Sequence, residues 1–515
     1  MFITILGFRE KPSDRSRSEI FLTIDDWNDY SFYTLFYLTY VNEQGQKLEI
    51  GSVKIGYFGQ EKQKKARLLG VNDSFDKLDE KFFSLGQDDS YYDNLNKIGA
   101  EIRDKILDAL NDIAKNEKLY RRAINEEVTK ISLLRSVSQT SITGQFRRLT
   151  IGGARLSSYE FNFVAPKNTE SFATSMELSF KVVPESSPPT NVHVLIGRNG
   201  VGKTRLLNNM IKTLVNNGQT ELNCGVFKSE AISPEQNLFS NVISVSFSAF
   251  DETEPIKEQE DKTSGIHYSY IGLKRPKMDP DNELGPKSRT MLNEECVESV
   301  WACKVGSKSI LWKRAIEMLE SDPMFKDAAI SSAIDIIEHS TFINRATPLF
   351  LKLSSGHKIV LLTVSKLVEK LEERSLVLMD EPEAHLHPPL LSALIRAISD
   401  LMIHKNGVAI IATHSPVILQ EVPKSCVLTL RRNGAEAIVE RLESESFGEN
   451  VGALTREVFG LEVTNSGFHK LLNDAIEKEN NYNSALNHFN GQLGMEAKSI
   501  LRALSVERNG FEESI

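Results

Sequence analysis

The chain has 515 residues, 40% of them hydrophobic and 25% charged, an ordinary globular composition with enough length for a large core and several domains. A net charge of −9 excludes a general nucleic-acid coat, which needs clustered Lys and Arg, and leaves room only for a local basic groove. No stretch approaches the ~18 apolar residues of a membrane span, no basic segment precedes the first apolar run as a secretory signal requires, and the four cysteines (Cys224, Cys296, Cys303, Cys426) form no C-x-x-C pair; the expectation is a reduced, cytoplasmic chain with no membrane partner.

Residues 1–145 precede any nucleotide motif and read as an α+β domain of unknown role. Two β-rich runs, Phe32–Val41 and Lys47–Phe58, flank Asn42-Glu43-Gln44-Gly45-Gln46 and predict a hairpin. Ile98, Ile102, Ile106, Leu107, Leu110 and Ile113 recur at helical spacing. The basic cluster from Glu61 to Arg67 is read as a solvated helix face, and Asp25 and Asp26 have no evident catalytic partner. A second unit spans residues 146–450. Its loop Glu185–Thr190 feeds a buried strand, Val192–Ile196, and a helical insert occupies about 276–350, broken at Asp322-Pro323. The polar stretch Asp251–Lys262 interrupts this unit, and residues 451–515 read as a helical C-terminal segment.

The chemistry-bearing residues lie in the second unit. Gly197-Arg198-Asn199-Gly200-Val201-Gly202-Lys203-Thr204 fits G-x-x-x-x-G-K-[ST], between an apolar strand and a helix carrying Leu206, Leu207, Met210, Ile211 and Leu214. Glycines there turn backbone N–H groups toward phosphates, and the helix N-terminus adds its dipole. Lys203 is expected at the β- and γ-phosphates of ATP and Thr204 on Mg²⁺. Leu376–Met379 is a buried strand ending in Asp380-Glu381-Pro382, which places Asp380 in the Mg²⁺ shell and Glu381 beside the attacking water. Between the two motifs, Leu353-Ser354-Ser355-Gly356-His357-Lys358 starts a helix with small residues and free N–H groups; in isolation it reads equally well as a plain N-cap. Val408–Ala412 is a strand that delivers His414.

Four elements in the order Walker A, signature, Walker B and histidine resemble the ABC ATPases, and specifically the OLD/SMC/RecF branch. Asp380-Glu381-Pro382-Glu383-Ala384-His385-Leu386-His387-Pro388, Val245–Asp251, Tyr270-Ile271-Gly272 and Phe447-Gly448-Glu449-Asn450 carry the same resemblance, which covers about residues 148–470. It implies an α/β fold: an ABC-type P-loop ATPase with a mixed sheet and a small helical lobe. Two copies, as a homodimer or higher homo-oligomer, would enclose the nucleotide. Gly197, Asn199, Gly200, Gly202, Lys203 and Thr204 would bind phosphate in cis, Ser354, Ser355 and Gly356 in trans, Glu381 and His414 would be catalytic, and Thr204 and Asp380 would hold the metal.

The resemblance extends to antiphage ATPases of the Septu, PARIS, Gabija and retron kind, nearest in plan to PtuA of Septu. That implies control of a separate effector, an HNH-type nuclease or a toxin, with a phage protein or DNA as trigger. Two other readings stand beside it: an ATP-clamped scaffold with little turnover, and a RecF-like repair ATPase. The sequence departs from the pattern in three places. Ser248-Ala249-Phe250-Asp251 holds no Q-loop glutamine, His385-Leu386-His387-Pro388 holds no D-loop aspartate, and no TOPRIM carboxylate cluster follows His414, so the chain is not expected to be an OLD-type nuclease. The His385-x-His387 pair beside Glu383 suggests a metal site, but zinc usually needs a third ligand and the loop is normal for the branch, so it is read as part of that loop.

Overall fold

The computed structural model describes the chain apart from residues 1, 30–31, 63–69, 71–72, 154–155, 167–175, 216–223, 230–237, 248–255, 257–265, 276–285, 305–306, 329, 337, 434–435, 461–466, 480 and 513–515. The basic cluster at 63–67, the run Ser248–Asp251, most of Asp251–Lys262 and the first part of the helical insert lie outside the described residues.

Six strands open the chain: β1 (Ile3–Leu6), β2 (Glu19–Ile24), β3 (Leu35–Val41), β4 (Lys47–Tyr57), β5 (Ser74–Phe75) and β6 (Phe82–Gly86). They form one sheet in the order β5-β1-β2-β3-β4-β6, antiparallel except for the β1–β2 pair. The hairpin joins β3 to β4, closed by Gln46 N–H donating to Asn42 Oδ1 at 2.8 Å, with Gly45 at φ +80°. Helices α1 (Asp89–Lys97), α2 (Ala100–Ala109) and α3 (Glu117–Ala123), with the short turns α4 (Gln139–Ser141) and α5 (Arg147–Thr150), cover one face. The apolar run from Ile98 to Ile113 is therefore not one helix: Gly99, at φ +109°, separates α1 from α2, a conformation that favours glycine.

The second unit is built on seven strands: β9 (Val192–Ile196), β11 (Asn241–Ser246), β12 (His267–Gly272), β13 (Leu376–Asp380), β14 (Val408–Thr413), β15 (Val427–Asn433) and β16 (Glu436–Glu440), in the order β12-β11-β13-β14-β9-β15-β16. All neighbours are parallel except β15–β16. The central strands are buried on both faces, which explains their unbroken apolar runs. Leu376 and Leu378 face a layer made by α6 (Lys203–Val215) and a second sheet of β7 (Tyr159–Val164), β8 (Glu177–Val182) and β10 (Val226–Lys228). Val377 and Met379 face the opposite layer, the helices α7 (Arg289–Ala302), α8 (Ser307–Leu319), α9 (Pro323–Ala328), α10 (His339–Lys352), α11 (Ser355–Lys370) and α12 (Pro388–His404).

After β14 come α13 (Pro416–Leu419) and the β15–β16 hairpin, then α14 (Val451–Phe459), α15 (Gly467–Glu479), α16 (Tyr482–His488) and α17 (Met495–Glu512), the last three packed around Leu472, Ile476, Ala485 and Leu501. No described helix is long and apolar enough to cross a membrane.

One ion pair ties the N-terminal unit to the turn before β13. Arg148, in α5, reaches Glu373 at 2.6 Å, and burial pushes the Glu373 carboxyl up against the pull of Arg148. Removing the cation leaves a buried carboxylate without its partner. Arg148→Ala is expected to cost roughly 3 kcal/mol in denaturant unfolding; a loss below ~0.5 kcal/mol, the worth of an exposed pair, would show that the bridge is no more than that.

Candidate functional site

Strand register assembles the site. Asp380 pairs with Ser246 on one side and Ala412 on the other, and Thr413 pairs with Ile196. Gly197, Glu381 and His414, the next residues along, therefore leave the sheet together at the carboxyl ends of parallel strands. Open α/β sheets bind their ligands at that edge.

The loop after β9 is shaped for backbone donors. At Gly197 any Cβ would run into the Leu430 carbonyl oxygen, and Gly200 and Gly202 sit at φ +80° and +101°, where side chains are disfavoured. Asn199 is exposed beside them. Lys203, the first residue of α6, is buried and donates from Nζ to the carbonyls of Gly197 (2.9 Å) and Arg198 (3.0 Å). Burial holds its ammonium below the usual lysine range, opposed by the charges of Glu381, Asp380 and Glu383. Thr204 follows on the first turn of α6.

Across from it, Asp380 is buried at the end of β13, and Glu381 takes φ +46°, a left-handed conformation uncommon for a side-chain-bearing residue and frequent where a functional group is held in strain. Glu381 N–H donates to the Ala412 carbonyl at 2.9 Å, continuing the β13–β14 ladder past the sheet. His414 Nδ1 lies 3.5 Å from Glu381 Oε1 and 3.2 Å from Glu383 Oε1. Glu383 Oε1 also accepts from Thr413 Oγ1 (2.5 Å) and from His414 N–H (3.0 Å). Its second oxygen is buried and finds no partner among the described residues. Glu383 is not among the expected ATP-site residues; the sequence sets it only beside His385-x-His387, as a metal ligand the reading turns down.

The donor set fits a hard divalent cation. A threonine hydroxyl and a buried carboxylate are the oxygen ligands Mg²⁺ prefers, and the unpartnered Glu383 oxygen adds negative charge beside Lys203. Such an ion supplies charge neutralisation between two phosphates.

The signature segment sits elsewhere. Ser354 caps α11 with exposed side chains at Ser354 and Ser355. Gly356 is buried because its helix start abuts the loop after β13: a Cβ there would lie 2.7 Å from the His385 carbonyl oxygen. Among the described residues Ser354 Oγ bonds to His357, not to the phosphate loop. His357 Nε2 meets Asp322 Oδ1 at 2.9 Å, and His387 Nε2 lies 3.3 Å from Asp322 Oδ2. The sequence reading took Asp322-Pro323 as a mere break; the aspartate in fact caps the start of α9, accepting from Met324 N–H at 2.9 Å.

A phosphate loop and a paired-carboxylate strand on one edge of a parallel sheet define a P-loop ATPase of the AAA/ABC type. Residues 344–420, which hold the signature, Asp380-Glu381 and His414, match the family described as an AAA domain, putative AbiEii toxin, type IV toxin–antitoxin system. Protein ea59 of Escherichia phage lambda is 41% identical over 514 residues, covering 96% of each chain. The chain belongs to the family of that phage protein, whose name describes no activity. Among solved structures, the ADP conformation of an ATP-binding cassette of an ABC transporter aligns at 14% identity over 60% of this chain and 97% of its own, with a TM-score of 0.29. The CbiO1 component of an ABC transporter complex from Clostridium perfringens aligns at 17% identity over 51% and 82%, with a TM-score of 0.27. Likenesses this weak add nothing to the class, which rests on the strand order and the loop.

Proposed function

We propose that the chain is an Mg²⁺-dependent ATPase whose working form is a dimer, with each nucleotide held between the phosphate loop of one copy and the signature of the other. The observation that carries it is the shared edge where Gly197, Glu381 and His414 leave paired strands beside Asp380, with Lys203 of α6 set among the carboxylates. Backbone N–H groups from Gly197 to Thr204, with Asn199, cradle the phosphates; Lys203 adds a point charge. Thr204 and Asp380 hold the ion. Glu381 orients the attacking water and takes its proton, and His414, fixed by Glu383, contacts the γ-phosphate. Ser354, Ser355 and Gly356 complete the site in trans, at a helix start where the side chains of Ser354 and Ser355 are exposed. Chelation by EDTA is expected to abolish phosphate release and added Mg²⁺ to restore it. Release unchanged by chelation would contradict the metal's role.

In the wider reading, nucleotide state governs a separate effector, an HNH-type nuclease or a toxin, in response to a phage protein or DNA. What supports it is the resemblance to antiphage ATPases, together with an N-terminal unit and a helical tail to which the ATP site assigns no chemistry. A relative belonging to a phage weighs against confining that role to host defence. The purified protein is expected to leave plasmid DNA intact with ATP, Mg²⁺ and Mn²⁺; cleavage that persists through repeated chromatography and vanishes on mutating a residue outside the ATP site would overturn this. A clamped scaffold with slow turnover is the second reading, favoured by His385-Leu386-His387 standing where a D-loop aspartate is expected.

A further inference from the structure

We infer that Asp322 and His357 are positioning residues for the signature serine: together they set whether the Ser354 hydroxyl offers a phosphate its proton or its lone pairs. The inference rests on the ATPase reading above and deepens it.

The geometry is a chain of three groups. Ser354 Oγ lies 2.6 Å from His357 Nδ1, and His357 Nε2 lies 2.9 Å from Asp322 Oδ1, with both Asp322 and His357 buried. The titratable groups against the imidazole are Asp322, from the turn before α9, and His387, from the loop before α12, whose ring centre is 6.2 Å away; Phe325 of α9 lies against it at 5.2 Å. When His357 is neutral, the Asp322 carboxylate holds its proton on Nε2. Nδ1 is then an acceptor, so Ser354 must donate to it. That leaves only oxygen lone pairs facing outward, which repel a phosphate oxygen.

One proton from solvent reverses the arrangement. As an imidazolium, His357 donates from Nδ1 to Ser354 and from Nε2 to Asp322, and the freed Ser354 O–H points outward as a donor. A positive charge then stands directly behind the hydroxyl that meets the anion. Asp322 makes this state tolerable in a buried place at a helix start, where the dipole disfavours a cation. The Nδ1 of His387 is already engaged, accepting from Leu390 N–H (3.2 Å) as the cap of α12. Its Nε2 lies 3.3 Å from the second Asp322 oxygen.

A metal ion is the rival occupant, since one donor atom from each of Asp322, His357 and His387 falls within 4.8 Å of the others. The His387 cap argues against it: metal on Nε2 with Nδ1 still accepting would require an imidazolate, or else would uncap α12.

Triphosphate engagement is therefore linked to uptake of one proton, and binding weakens as pH rises once His357 is neutral in the free protein. The test is the KM for ATP between pH 5.5 and 8.5. In the parent, KM is expected to rise on the alkaline side toward ~10-fold per pH unit, with kcat at saturation changing far less. Asp322→Asn keeps the α9 cap but removes the charge, so the rise should begin at lower pH and KM at neutral pH should be ~10-fold higher. His357→Asn places a permanent amide donor near the Nδ1 position, so its KM should be flat with pH. Matched thermal unfolding midpoints show that the variants fold. A parental profile surviving in both variants, or stoichiometric Zn²⁺ in the purified protein, overturns the inference. Absence of any Lys203-dependent turnover in the parent overturns the ATPase reading instead, and this inference with it.

Discussion

Changing Glu381 to Gln is expected to lower ATP turnover on the order of 10²- to 10⁴-fold, the range for loss of a general base, while nucleotide still binds. The reason is local. The amide is isosteric, and the phosphate cradle of Gly197–Thr204 does not depend on this side chain. What disappears is the carboxylate proposed to take the water's proton. With hydrolysis stopped, ATP should hold two copies together, so sedimentation with ATP should show the dimer accumulating in the variant and turning over in the parent. Turnover at the parental rate would remove Glu381 from its assigned role.

Lys203→Ala is expected to weaken binding of a non-hydrolysable ATP analogue by roughly 10- to 100-fold, the worth of one charge-assisted contact of ~1.5–3 kcal/mol. Two effects oppose each other here. Burial disfavours the ammonium, while three carboxylates favour it, so the lysine is held between a desolvation cost and an acidic neighbourhood that a phosphate would enter. Removing it leaves the charges of Glu381, Asp380 and Glu383 unopposed by this ammonium. Calorimetric titration in Mg²⁺ reads the change directly, and equal affinity in the two proteins would count against the phosphate loop.

The parts of this site that were legible in the sequence are those set by one short segment. Strand, glycine loop and helix from Val192 to Val215 announce themselves because the loop needs glycine at φ +80° and +101° and a lysine at the helix start. Asp380-Glu381 is legible because four apolar residues precede two carboxylates. Contacts made by register were not legible. Glu383 reaches Thr413 and His414 because β13 and β14 lie side by side, a pairing across thirty residues of chain that no local pattern encodes. The Asp322–His357 link is longer still, and the proline after Asp322 signalled an interruption that in the structure is a helix start. Helical spacing also misled once: Ile98 to Ile113 keeps its apolar rhythm across Gly99, but the backbone turns there.

The most direct measurement is complementation between two inactive proteins. Lys203→Ala keeps Ser354 and Gly356, and Ser354→Arg keeps the phosphate loop. A mixed dimer then contains one sound site, made of the loop from one chain and the signature from the other, and one doubly damaged site. Neither variant alone should release phosphate. Mixing them, with subunit exchange verified by fluorescence energy transfer between labelled chains, is expected to restore a fraction of the parental rate. Exchange without any recovered turnover would contradict a nucleotide site shared between two copies.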